Sequence, residues 1–135
     1  MESEALFKKA GERLRTGSYI LGQFPILRDT NLLGSAARSV FEAAECQMTA
    51  VLTREKELRR LPLFPDNFEV KLDLFKNWAA KRNLSQKHSD LLREMKDAMT
   101  QPRVFSPEFV KKAVSAGKAL VEDTIKSIKG ELNDA

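Results

Sequence analysis

Apolar side chains recur every three or four positions along nearly the whole chain, the spacing that gathers them on one face of an α-helix. In the first stretch Leu6, Ala10, Leu14, Gly17, Leu21 and Phe24 form such a face, while Lys8, Lys9, Glu12, Arg13 and Arg15 lie largely off it. The pattern predicts a helix from about Ser3 to Phe24. Pro25 is expected to stop it, because a proline disfavours helical geometry in the residue before it. Gly11, Gly17 and Gly22 each cost about 1 kcal/mol of helix propensity against alanine, so they point to close approach by a neighbouring helix.

A second helix, capped by Asp29 or Thr30, is predicted to reach about Arg60 through Leu33, Ala37, Val40, Ala44, Met48 (or Gln47) and Val51. Ala36, Ala43 and Ala50 flank that seam and would let a partner helix come close. At about thirty residues it spans roughly 45 Å. A helix of that length either projects and pairs with another subunit or forms a core element with a charged, frayed end.

Two prolines in Leu61-Pro62-Leu63-Phe64-Pro65 forbid continuation, and three large apolar residues predict a tight connector packed on the bundle. Asp66, with Glu69 three positions later, makes a capping-box start for a third helix that runs to about Lys81. Phe68, Leu72, Phe75 and Ala79 would be buried, with Leu74 and Trp78 on the flank and Trp78 read as core. Ser85 is expected to cap a fourth helix carrying Leu91, Leu92, Met95, Ala98 and Met99, ended by Gln101-Pro102. Ser106-Pro107-Glu108 combines a capping serine, a proline at the first helical position and an acid in the first turn. The fifth helix follows to about Leu132. No strand-like alternation competes, so the fold class is all-α: one domain over residues 1–135, an antiparallel bundle of about five helices, mainly up-down. The last few residues, Gly130 to Ala135, are given no packing role.

Composition fits this picture. The chain has 135 residues, 42% hydrophobic and 31% charged, which suits a globular domain with one core. Its net charge of +4 is modest and dispersed, short of the one-sided positive face of a dedicated nucleic-acid binder. The clearest local excess places Arg54, Lys56, Arg59 and Arg60 against Glu55 and Glu57. Without interleaved aromatics it reads as a solvated helix end, its cations favoured by the helix dipole. A lone cysteine, Cys46, excludes an intramolecular disulfide and reads as a small core residue. No apolar run approaches the roughly twenty residues of a membrane span, and the acidic start is unlike a signal peptide. A cytoplasmic protein is expected. No cofactor or metal is implied: there is no Gly-rich phosphate loop, and carboxylates such as Glu42 and Glu45, or Glu55 and Glu57, lack the Glu-x-x-His pairs of a bundle metal site.

The one string with chemical promise is Arg82-Asn83-Leu84-Ser85-Gln86-Lys87-His88, which ends on the only histidine. An arginine, a polar residue and a histidine at this spacing resemble the signature of metal-independent HEPN ribonucleases. The element order, two long helices, a proline-kinked connector and shorter closing helices, is similar to the HEPN superfamily from about Ala5 to Ile128. The resemblance implies a dimer, with roles running from RNA cleavage in toxin–antitoxin systems to inert partners of nucleotidyltransferases. Carried over, Arg82 would stabilise charge on phosphoryl oxygens, Asn83 would orient, and His88 would transfer a proton as the RNA 2′-hydroxyl attacks.

The residues themselves complicate that assignment. Asn83-Leu84-Ser85 ends one helix and caps the next, so Arg82 and His88 fall on different elements. His88 is expected as an exposed helix-start histidine, its imidazolium disfavoured by the dipole and by Lys87. In another register Arg93-Glu94-Met95-Lys96-Asp97 takes the motif position, with no histidine from Met99 to Phe105, and the chain becomes a non-cleaving relative. The leading expectation is a non-enzymatic helical interaction or adaptor module, a homodimer or the partner of a small protein, joined through its second helix and small-residue seams. The alternatives are a ribonuclease using Arg82, Asn83 and His88 at a dimer interface, or a weak RNA-binding domain using Arg54, Lys56, Arg59 and Arg60 with the stretch from Lys71 to Arg82.

Overall fold

The computed structural model describes residues 2–101 and 104–134, with side chains through residue 131. Five helices make up the bundle: α1 (Glu2–Leu27), α2 (Thr30–Glu57), α3 (Phe68–Lys81), α4 (Lys87–Thr100) and α5 (Pro107–Asp134), with no strand among the described residues. No described helix is long and apolar enough to cross a membrane. Of the boundary residues expected from sequence, Pro102 and the side chain of Leu132 lie outside the described set.

Helix α2 is the axis of the molecule. Leu33, Ala36, Ala37, Val40, Ala43, Ala44, Met48, Ala50, Val51 and Leu52 are all at most 1% exposed along it. The alanine seam is therefore filled from inside the chain, by α1 and α5, and does not stand open to a second subunit. That corrects the expectation that this helix and its small residues supply an interface. A long apolar stripe is held by whatever covers it first, and two helices of the same chain are tethered beside it.

The closest approach is a waist where α1, α2 and α5 meet. A methyl group on Gly17 would sit 3.0 Å from Val40 Cγ2 and 3.2 Å from the Ala36 carbonyl oxygen; one on Gly117 would sit 3.3 Å from Val40 Cγ1 and 3.2 Å from Leu14 Cδ1. Both glycines are needed for backbone proximity. Gly22 meets nothing within 4 Å and Gly11 meets only Arg15 of its own helix, so of the three α1 glycines only Gly17 is explained by packing.

From this waist α5 runs alongside α2 in the same direction, touching it every seven residues: Gly117 at Val40, Thr124 at Gln47, and Glu131 at Arg54. This is the repeat at which two helices keep one seam facing the other. Its middle layer is polar, Gln47 Nε2 donating to Thr124 Oγ1 at 2.7 Å with both residues fully buried. Helix α1 runs antiparallel to α2, from Ser3 beside Glu57 to Gly17 beside Val40. The connector 58–67 folds back along α2, so that α3 begins where Phe68 meets Phe41 and ends where Arg82 meets Glu55. Leu61 and Phe64 pack on the core from this connector, but Leu63 is 84% exposed, so it is only partly the packed segment its composition predicts.

Several ends differ from the sequence reading. Helix α1 continues through Pro25 to Leu27, because Phe24 is held in an apolar cluster with Leu33 and Val110, and this outweighs proline's preference. It then closes with Arg28 at φ 54°, whose N–H donates to the Phe24 carbonyl. Helix α2 stops at Glu57, short of Arg60, in a Schellman motif: Arg59 adopts φ 60°, and the N–H groups of Arg59 and Arg60 donate to the carbonyls of Lys56 and Glu55. Asn67, in place of Asp66, caps α3, accepting from the Val70 N–H at 3.1 Å, while Asp66 pairs with Lys71. Helix α4 starts at Lys87, whose N–H donates to Ser85 Oγ at 3.2 Å. Ser106 caps α5 as its sequence predicts, accepting from the Phe109 N–H.

Candidate functional site

Arg82, Asn83 and His88 lie around the turn between α3 and α4, and the turn separates them. Arg82 is the C-cap of α3 and Asn83 follows in the left-handed region at φ 57°, a second Schellman closure with Asn83 and Leu84 donating to Ala80 and Ala79. Asn83 thus stands where a helix stop demands a residue tolerant of positive φ, and is itself exposed. His88, one position into α4, is 4% exposed, contrary to the exposed helix-start position expected. Its Nε2 lies 2.8 Å from Asp123 Oδ2 on α5. Arg82 reaches α5 at Glu131 instead, eight residues further on, about 12 Å along the helix. The two members of the string are held by different carboxylates.

Arg82 belongs to a denser constellation at the end where α2, α3 and α5 finish. Its Nη2 donates to Glu55 Oε1 and to Glu131 Oε2, both at 2.9 Å, and its guanidinium lies 4.5 Å from the Trp78 ring centroid. Arg60 also donates to Glu131 and places Nε 3.5 Å from Glu55 Oε2, while Arg54 Nη1 approaches Glu131 at 4.0 Å. Glu55, read from sequence as part of a solvated helix end, is only 4% exposed. A carboxylate taken that far from water requires cations around it, and here two arginines from the connector and α3 supply them. The same arginines hold the Glu131 carboxyl down at about 2, Arg60 contributing most, so it stays ionised in any physiological medium. Three arginines against two glutamates leave this cluster with one uncompensated positive charge.

The remaining sequence candidates divide between this cluster and the surface. Lys56 lies over the Phe64 ring at 5.9 Å, and Arg59 is exposed in the strained turn position. Of the alternative motif register, Arg93 pairs with Glu69 across α3 and α4, and Lys96 sits over the rings of Phe41 and Phe68. Cys46 is half-buried, its thiol donating to the Leu6 carbonyl at 3.2 Å; burial pushes its pKa up, which keeps it protonated and a poor nucleophile. No group of three potential metal-ligating side chains occurs among the described residues.

Sequence reasoning passed over Glu55 as a site member, and missed Glu131 and Asp123 altogether. No local signal marks the last two, since a glutamate or aspartate on a charged helix is ordinary; only the parallel register of α5 against α2 brings Glu131 to the arginines. Beside the cluster, Leu61, Leu74, Trp78, Lys81, Arg60 and Arg82 line an open cleft of about 360 Å³. The Trp78 indole N–H is buried there without an acceptor, a loss of roughly 1–3 kcal/mol for an unpaired polar group. Compared with protein-family models, with curated proteins and with solved structures, the chain matches none.

Proposed function

We propose that this protein is a non-enzymatic, HEPN-like helical interaction module of the cytoplasm that works by pairing with a second copy of itself. The observation that carries the reading is the last part of α1. Tyr19, Ile26 and Leu27 are 69%, 75% and 61% exposed, and their spacing of seven and eight residues places them on one side of the helix. Three large apolar side chains on one helical stripe form a surface that pairing would remove from water. The interface proposed here is this stripe, not the buried seam of α2. The pairing of Arg82 and His88 with separate carboxylates supports a role without catalysis.

Sedimentation velocity tests it. The wild type should associate, and an Ile26→Asp variant with unchanged circular dichroism should sediment as a monomer; a wild type that stays monomeric at about 100 μM, a concentration far above the Kd of a specific pair, would sink the proposal.

A second reading, a metal-independent ribonuclease, draws on one contact. Asp123 would orient the His88 imidazole, as a carboxylate does beside a proton-transfer histidine. Such an enzyme would have to release Arg82 from Glu55 and Glu131. It should cleave RNA in EDTA and lose that activity in His88→Ala.

A further inference from the structure

The cleft beside the arginine cluster has a floor and a rim of different chemistry. Leu61, from the connector, and Leu74 and Trp78, one helical turn apart on α3, give an apolar floor. Lys81, one further turn along, and Arg60, across the cleft, give a cationic rim. Arg60 is 45% exposed even while it holds Glu131, so its outer face remains open to solvent. Lys81 is exposed, and among the described residues no carboxylate pairs with it. One carboxylate, Glu55, lines the cleft; it and its neighbour Glu131 are already engaged by Arg82 and Arg60, and Arg54 adds further positive charge beside Glu131. The local balance is therefore positive, and the free positive charge lies at the rim.

We propose that this cleft binds a small organic oxyanion with an apolar body, its carboxylate or phosphate head against Lys81 and Arg60 and its body on Leu61, Leu74 and Trp78. At about 360 Å³ the space is at the small end of ligand pockets and excludes a large cofactor. Lys81 supplies a point charge without a geometric demand, and Arg60, whose Nη2 and Nε already face Glu131 and Glu55, adds its remaining N–H donors and its charge. Such a ligand is either a free small molecule or the terminal carboxylate of a peptide ending in an apolar residue.

Trp78 is the only tryptophan, so its emission reports on the cleft directly. Octanoate titrated into the full chain should change that emission saturably, whereas octanol and octylamine should not. Lys81→Ala, at an exposed and unpaired position, should weaken octanoate by about tenfold, the scale of one charge-assisted contact, and Lys81→Glu should abolish binding with helix content unchanged. N-acetyl-leucine and its amide separate the two sources: binding of the acid alone, as tight as octanoate, assigns a peptide terminus, and failure of both beside a binding octanoate assigns a free molecule. No emission change with octanoate, octanol equal to octanoate, or Lys81→Ala binding like the wild type would each overturn the site.

Discussion

At the end of the bundle where α2, α3 and α5 finish, a buried glutamate gathers arginines from the connector and α3; at the other end, where α1 turns into α2, Tyr19, Ile26 and Leu27 stand in solvent. The first end has its charge turned inward, and the second its apolar surface turned outward. Each reverses the usual placement, in which charge is solvated and large apolar groups are covered. The difference is one of partners. Glu55 and Glu131 find theirs within the chain, because three helices and a connector converge there. The last turns of α1 extend beyond the waist at Gly17 and Gly117, and none of the described elements covers Tyr19, Ile26 and Leu27 on their outer side.

The sharpest way to break this contrast is to empty the inward-turned end. Glu55→Ala leaves Arg82 with one carboxylate in a half-buried setting and Arg60 with a weakened partner, and should cost about 3 kcal/mol in urea unfolding. A cost below 1 kcal/mol would mean that the cluster is a surface feature in thermodynamic terms. Next comes the waist. Gly17→Ala drives a methyl group against Val40 and the rigid Ala36 carbonyl and should destabilise by about 1–2 kcal/mol, whereas Gly22→Ala, in open space toward the exposed end, should stabilise by about 0.5–1 kcal/mol through helix propensity. Equal effects at the two glycines in differential scanning calorimetry would remove the distinction between packed and unpacked portions of α1.

The last effect is electrostatic and of similar size to that at Gly22. The folded-state pKa of Glu131 is lowered from 4.5 to about 2, so this group stabilises the fold above pH 4.5 and loses that contribution as pH falls from about 4.5 to 2. Glu131→Gln should remove the pH dependence due to this group, at a cost near neutral pH of about 1 kcal/mol once solvent screening at a partly exposed side chain is allowed for. Parallel acid-unfolding curves for wild type and variant over that range would contradict the assignment.

Much of the fold was legible because it rests on local rules. The 3.6-residue period marked all five helices, and Ser106-Pro107 announced α5 to the residue. Boundaries failed where two local signals competed: Asp66 and Asn67 are both good caps, and tertiary pairing of Asp66 with Lys71 settled the choice. The candidate site was legible only as a list of cations. Arg54, Arg60 and Arg82 were all visible, as separate charges on separate segments, but their meeting depends on a parallel register between helices that start 77 residues apart.

By itself the sequence determined that the chain is helical, that α2 carries a long, alanine-rich apolar stripe, and that Arg82 and His88 straddle a helix break. All of these follow from periodicity, backbone preference and capping, which act over a few residues. Only the tertiary structure decided that the α2 seam is covered from within, that His88 is buried against Asp123, and that Glu55 is the centre of a charge cluster. Those depend on which faces come together at long range, and the free energy of such contacts is set by burial and by partners that the local sequence does not contain.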